Sequence, residues 1–258
     1  MNNFEKGYNY QEVNNIQIHY SLEGDKDKPN LVLINMASHN LTSWEAVLDD
    51  LIKDFYILRF DGRGTGLSGW GNEEEFTFSQ YADDLSELMK GLNIDKAFVL
   101  GIAYGARTAA QFSLRHSNQL KALALCDVAL SQPVNQVEQA NLGQKARELL
   151  ADAAEPKVDY QKYWRFYKNK DQALNFHKAH LSEEDITNKL SKVSVPSLIT
   201  CGRQDMNLDE AKRISEKIKN STFQIMEMTG HASILFRPKL FSNIVKEFYY
   251  SNFGEGNE

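Results

Sequence analysis

Three short stretches carry side chains that could together perform nucleophilic catalysis. The first, Gly101-Ile102-Ala103-Tyr104-Gly105, follows an apolar run and precedes a predicted helix. It has the G-x-S-x-G spacing of a nucleophile elbow, with alanine where the hydroxyl would stand. Asp205 and His231 each follow a later apolar run. A histidine can take the proton of an attacking hydroxyl while a carboxylate orients the imidazolium, so nucleophile position, acid and base occur in a workable order.

Asp127 is an alternative acid, because it also follows an apolar run directly. The residues alone therefore leave two carboxylates that could orient His231, and Asp205 is the favoured one.

The elements that must position these side chains follow an alternating pattern. A hairpin with Asn14-Asn15 at its turn opens the chain. Thr77 with Gln80 and Asn207 with Glu210 predict helix caps. Apolar runs that predict strands alternate with stretches of helical spacing, which indicates an α/β fold with a mainly parallel sheet covered by helices on both faces. The strand-like runs lie at 31–34, 55–58, 97–100, 120–125, 197–200 and 222–226.

Residues 128–192 interrupt this alternation. The stretch is rich in Gln, Lys, Glu and aromatic residues and predicts several short helices. We therefore predict a core domain of residues 1–127 and 193–258 with a helical cap, or lid, at 128–192. A segment inserted after the carboxyl end of a strand lies over the crevice where such sheets bind ligands.

Composition excludes several classes of function. The 258 residues are 42% hydrophobic and 25% charged, with net charge −6 and no basic cluster, which disfavours nucleic acid as a partner. A polar start and the lack of a 20-residue apolar run predict a cytoplasmic protein without membrane contact.

Cys126 and Cys201 are expected to be buried reduced thiols. We expect no metal, because no Cys/His spacing fits, and no cofactor, because Gly62–Gly66 lacks the dinucleotide spacing; a homodimer is left open.

The sequence Asp61-Gly62-Arg63-Gly64-Thr65-Gly66-Leu67-Ser68 looks like the D-x-R-G-x-G-x-S loop of the α/β-hydrolase superfamily. The chain resembles this superfamily along nearly its full length, and residues 31–44 look most like the 3-oxoadipate enol-lactonase branch. The resemblance implies an α/β-hydrolase fold, with Ala103 at the nucleophile position, Asp205 as the acid and His231 as the base. It also implies an oxyanion hole formed by the backbone N–H groups of Ala37 and Tyr104.

Substrate contacts are harder to assign. Met36, where the family often has glycine, and His39 lie beside the implied oxyanion hole, and Tyr163, Trp164 and Phe166 crowd together in the insertion. All five are candidates for lining the pocket. A solvated loop for His39 and simple packing for the aromatic residues remain open.

Three functions fit these features. The first is a hydrolase of small carboxylic esters or lactones with a Ser-His-Asp mechanism, present here in a Ser-to-Ala form that is expected to be inactive. The second is a natural pseudo-hydrolase that binds a small ligand. The third is a nucleophile-independent enzyme, an oxygenase or lyase without cofactor, in which His231 and Asp205 act as a base. The sequence favours the first.

Overall fold

The fold is described from a computed structural model, which covers residues 9–37, 39–131, 135–153, 158–159, 179 and 184–254. Eight strands form one sheet in the order β1-β2-β4-β3-β5-β6-β7-β8. Strands β1 and β2 run antiparallel to their neighbours, and the strands from β4 to β8 pair in parallel. The strands are β1 Asn9–Val13, β2 Ile16–Glu23, β3 Asn30–Ile34, β4 Tyr56–Phe60, β5 Ala97–Ile102, β6 Leu120–Cys126, β7 Ser197–Gln204 and β8 Ser221–Gly230.

Helices cover both faces of the sheet. They are α1 Glu45–Leu51, α2 Phe78–Gly91, α3 Tyr104–Arg115, α4 Gln136–Asp152, α5 Leu208–Lys217 and α6 Pro238–Phe253. Apolar residues of α2, α3 and α5 pack against one face, and those of α1 and α6 against the other. Successive residues of β5 alternate between these two cores, since Val99 faces the first and Phe98 and Leu100 the second. The predicted mainly parallel sheet with helices on both faces is confirmed.

Local signals explain several element boundaries. Asn14 and Asn15 have positive φ and form the predicted hairpin turn. Thr77 caps α2 by accepting a hydrogen bond from the N–H of Gln80 at 3.1 Å. The predicted Asn207 cap of α5 is wrong, because the Asn207 side chain makes no cap bond and donates instead to the carbonyl of Asp127 at 3.0 Å.

The parallel strands bring the predicted site residues to one edge of the sheet. Strands β3, β5, β6, β7 and β8 are consecutive neighbours, so the loops after them leave from the same side. Both cysteines are buried and free, as expected. None of the helices described is long and apolar enough to cross a membrane.

Candidate active site

Ala103 occupies a sharp turn between β5 and α3. Its φ of 53° and ψ of −112° lie in a region that alanine rarely adopts. The flanking glycines permit the turn by close packing. A Cβ at Gly101 would lie 2.1 Å from the carbonyl oxygen of Gly105, and one at Gly105 would lie 2.3 Å from that of Ile34. The turn therefore has the strained strand–turn–helix conformation of a nucleophile elbow, with a partly exposed methyl group at its apex.

The side chains of His231 and Asp205 form a hydrogen-bonded pair. Nδ1 of His231 lies 2.9 Å from Oδ2 of Asp205. The His231 side chain is 32% exposed whereas the Asp205 side chain is fully buried. Because the carboxylate holds Nδ1, the second ring nitrogen is left for chemistry at the sheet edge.

The two groups stabilise each other's charged forms. Burial opposes the charge of His231, but the charge of Asp205, its hydrogen bond and the charge of Asp127 together raise the pKa of His231 to about 9. Burial also opposes the charge of Asp205, yet His231 and the hydrogen bonds from Asn207 and Gln139 hold the pKa of Asp205 below its usual range. The contact between them therefore favours the imidazolium form of His231 and the carboxylate form of Asp205.

Asp127, the alternative acid, lies behind this pair. Its Oδ2 accepts a hydrogen bond from the N–H of Ser233 at 2.6 Å, so it anchors the histidine loop through the backbone. It is completely buried, and burial together with the charge of Asp205 raises the pKa of Asp127 to about 7. Asp205 is thus the carboxylate that hydrogen-bonds the His231 ring.

Backbone contacts link the elbow to the histidine loop. The N–H of Ala103 donates to the carbonyl of Cys126 at 2.9 Å, and the next residue, Asp127, contacts Ser233. The loops after β5, β6 and β8 therefore converge, with Asp127 between the other two.

The loop after β3 carries the implied oxyanion-hole residue Ala37. Ala37 and Tyr104 pack against the same aromatic cluster, which consists of Phe76, Phe78 and Tyr81 with Ala179. Asn35 supports the loop, since its Nδ2 donates to the carbonyl of Phe60 at 2.7 Å. The loop after β3 and the start of α3 therefore pack against one shared cluster.

The candidate substrate contacts differ in placement. Met36 is 5% exposed, and both Met36 and His39 line a cleft that Tyr104 also borders. Nδ1 of His39 lies 2.7 Å from the carbonyl oxygen of Ala37, so its ring folds onto its own loop. Tyr163, Trp164 and Phe166 lie outside the described residues.

The loop after β4 is braced by buried charges. Asp61 accepts the N–H groups of Leu41 at 2.7 Å and Leu67 at 2.8 Å, and its Oδ2 lies 2.7 Å from Nδ1 of His19. Arg63 donates to both carboxylate oxygens of Asp84 at 2.8 and 2.9 Å. Asp61 therefore ties the loop after β4 to Leu41, in the loop after β3.

Side chains of two helices hold Leu130 and Ser131, at the start of the predicted insertion. Arg107 of α3 donates to the carbonyl of Ser131 at 2.5 Å. Glu210 of α5 accepts the N–H groups of Leu130 at 2.7 Å and Ser131 at 2.8 Å. Sequence reasoning missed this use of Glu210, because the four-residue capping pattern gave a plausible local role and nothing local indicates a partner 80 positions away.

Within the part of the chain that the structure describes, one group of potential metal ligands lies together. Donor atoms of Asp127, Cys201 and Asp205 are within 4.8 Å of one another. Burial and the charges of both carboxylates raise the pKa of the Cys201 thiol above its usual range. A thiol must lose its proton to bind a metal, and Asp205 already holds His231, so these residues do not fit a metal site.

Comparisons with known proteins point to one fold. The family model for the alpha/beta hydrolase fold matches residues 29–155. The chain is 25% identical to the "Putative carbamate hydrolase RutD" of Caulobacter sp. strain K31, over 86% of this chain and 91% of that protein. It is 20% identical to 3-oxoadipate enol-lactonase 2 of Acinetobacter baylyi, over 90% of this chain and 92% of that protein.

A solved structure with a similar fold is the enol-lactonase from Burkholderia xenovorans LB400. It has a TM-score of 0.77 and 24% identity, and the match covers 93% of this chain and 99% of that one. The chain therefore has the α/β-hydrolase fold. The family model for this fold matches about half of the chain, and the two relatives named here carry the names of a putative carbamate hydrolase and an enol-lactonase.

Proposed function

We propose that this chain is a serine-hydrolase scaffold for small carboxylic esters or lactones in which alanine stands at the nucleophile position. The observation that carries the proposal is the combination of a strained elbow at Ala103 with the His231–Asp205 pair. An elbow of this kind serves to present a nucleophile, and the pair serves to activate one. The enol-lactonase and esterase names of several relatives support the substrate class.

The proposed chemistry follows from these positions. A serine hydroxyl at position 103 would attack the ester carbonyl while the free ring nitrogen of His231 takes its proton. The N–H groups of Ala37 and Tyr104 would stabilise the resulting oxyanion, and the imidazolium would then protonate the leaving alcohol. Water would hydrolyse the acyl-enzyme by the same route. With alanine no acyl-enzyme can form, and loss of the nucleophile typically lowers turnover roughly 10⁶-fold.

The Ala103→Ser variant tests the proposal. We expect it to hydrolyse p-nitrophenyl esters or an enol-lactone and to be labelled by a fluorophosphonate, whereas the unchanged chain does neither. The base must be neutral, and Asp205 raises the pKa of His231 to about 9 against the opposing effect of burial, so kcat/KM should rise with pH up to that value.

The double variant Ala103→Ser/His231→Gln is the control, because it keeps the hydroxyl and removes the base. A folded Ala103→Ser protein that is neither labelled nor active on any ester or lactone would refute the hydrolase scaffold.

Residues 128–192 are proposed to form the cap of this site. Helix α4 supports that placement, because Gln139 on its first turn contacts Asp205. The aromatic residues Tyr163, Trp164 and Phe166 of the same segment remain candidates for contacting substrate.

A second candidate, ligand binding without turnover, is favoured by the alanine itself. An imidazolium at His231 beside the proposed oxyanion donors would attract a small organic carboxylate. Calorimetry of the unchanged chain with acetate, butyrate and a lactone-derived acid tests this function. Binding that disappears in His231→Gln supports it, and binding that survives His231→Gln, or no binding at all, counts against it.

A further inference from the structure

We propose that Gln139, on helix α4, is a positioning residue that holds the carboxylate of Asp205 in place for His231. Its Nε2 donates to Oδ1 of Asp205 at 3.0 Å, and its Oε1 accepts the N–H of Met206 at 3.2 Å. The side-chain amide of Gln139 therefore hydrogen-bonds both the carboxylate of Asp205 and the backbone N–H of the next residue. The inference rests on the role proposed above for Asp205.

The carboxylate of Asp205 needs such donors because of what surrounds it. Oδ2 is used by His231, and Oδ1 accepts both Gln139 and the N–H of Asn207 at 2.9 Å. Asp127 and the Cys201 thiol lie within the same 4.8 Å cluster. A second buried carboxylate so close favours a proton shared between the two, and hydrogen bonds to Asp205 oppose this by favouring its charged form.

Packing of helix α4 against the loop after β8 holds the Gln139 amide beside Asp205. Gln139, Gly143, Ala146 and Leu150 recur at helical spacing, and the last three are buried. A Cβ at Gly230 would lie 3.1 Å from the Cα of Gly143, so the helix backbone touches the residue before His231. Ala146 and Leu150 pack with Phe236, beyond the histidine.

The acid therefore depends on two parts of the molecule. Asn207 and His231 belong to the core, whereas Gln139 belongs to the predicted insertion. If α4 moved away, Asp205 would lose a donor to Oδ1 and its backbone would lose the acceptor for Met206. The insertion would then act on the acid–base pair directly, in addition to any role in covering substrate.

A nuclear magnetic resonance titration of His231 in the unchanged Ala103 background tests this without requiring any activity. Gln139→Met keeps the side-chain length and removes the donor. Asp205 and Asp127 should then share a proton more readily, which lowers the pKa of His231 by roughly half a unit or more. Gln144→Met is the matched control on the same helix, since Gln144 donates to Glu148 of α4 at 3.0 Å, and it should leave the pKa unchanged.

The Ala103→Ser background supplies a kinetic test. Adding Gln139→Met should lower kcat about 10-fold at high pH, where His231 is neutral in both variants, with little change in KM, because the acid acts in the transition state. Gln139→Glu retains an acceptor for Met206 and can donate to Asp205 only while protonated. The ratio of its kcat/KM to that of Ala103→Ser should therefore be close to one at low pH and decrease as that proton is lost.

Two outcomes separate this inference from the hydrolase proposal. A lowered His231 pKa in Gln139→Met with an inert Ala103→Ser variant would retain the positioning role and remove the hydrolase. If Gln139→Met and Gln144→Met give the same His231 pKa, Gln139 does not position the acid. Should Gln139→Met fail to fold, Gln139→Ala removes the donor without adding a charge, and the His231 pKa must then be lower than in a Gln144→Ala control.

Discussion

Ala103 keeps a backbone conformation that a hydroxyl-bearing residue would need and an alanine does not. Its φ of 53° and ψ of −112° lie in a backbone region that costs on the order of 1–3 kcal/mol for a residue other than glycine. The turn is enforced by its neighbours, since Gly101 and Gly105 pack against backbone atoms on either side. The strain therefore persists although the methyl group offers no hydrogen bond.

Ala103→Gly should consequently stabilise the protein. Removal of the strained Cβ is partly offset by the greater freedom of glycine in the unfolded chain, so we expect a gain of about 1 kcal/mol in the free energy of unfolding. Urea unfolding monitored by circular dichroism measures it. Ala140→Gly, at an exposed position inside α4, is the control and should lose about 1 kcal/mol. Equal losses in both variants would show that residue 103 is not strained.

The buried carboxylates of Asp205 and Asp127 should raise the pKa of His231 by different amounts. Burial alone lowers the histidine pKa, and Asp205 raises it by charge and by hydrogen bond, with a smaller contribution from the charge of Asp127. In Asp205→Asn the pKa of His231 should fall from about 9 to near or below its ordinary 6.5. In Asp127→Asn it should fall less. Titration of the His231 ring resonances checks both, and a larger fall in Asp127→Asn would make Asp127 the acid.

At the scale of elements, the site depends on the close approach of α3 to β3. Gly105, in the first turn of α3, lies against the carbonyl groups of Ile34 and Asn35 at the end of β3. This contact brings the N-terminal end of α3 beside the loop that carries Ala37. The two proposed oxyanion donors can converge only if position 105 has no side chain.

Gly105→Ala should therefore separate these elements. A Cβ 2.3 Å from the Ile34 carbonyl oxygen forces α3 away from β3 and should cost about 2–4 kcal/mol, measured by urea unfolding. Gly143→Ala in α4 is the matched control, because the nearest atom to its new Cβ lies 3.7 Å away. Helix propensity should make that change stabilising by about 0.5–1 kcal/mol. A neutral Gly105→Ala would mean that the contact is looser than described.

At the scale of the whole molecule, the buried acid cluster links stability to pH. Burial and Asp205 raise the pKa of Asp127 from 3.8 to about 7, so between these values the folded protein holds a proton that the unfolded chain has lost. Stability from this group is therefore present at low pH and decreases as pH rises toward 7. Asp205 acts in the opposite sense, because its lowered pKa makes its contribution disappear as pH falls.

Asp127→Asn should flatten the first of these dependences. Asparagine tolerates the positive φ of 50° at this position and can still accept the N–H of Ser233. We expect the variant to gain stability relative to the unchanged protein as pH rises from about 4 to about 7, measured by urea unfolding at several pH values. A constant difference across this range would show that Asp127 does not titrate there.

The sequence alone was enough to predict the fold, and the order of the candidate site residues along the chain stays a prediction about function. Alternating apolar runs, the Asn14-Asn15 turn and the Thr77 cap are local signals, and each produced the element expected. The elbow was recognisable because close packing requires glycine at positions 101 and 105 whatever residue lies between them. These features depend on short stretches of chain and on the periodicity of strands and helices.

Tertiary structure decided which groups meet. Asp127 and Asp205 both follow strands. The path of the loop after β8 brings the ring of His231 to Asp205 and the backbone N–H of Ser233 to Asp127. Gln139 contacts Asp205 across 66 positions of sequence. Such contacts join loops and helices that cross one edge of the sheet, and their geometry depends on packing between elements, which no local spacing encodes.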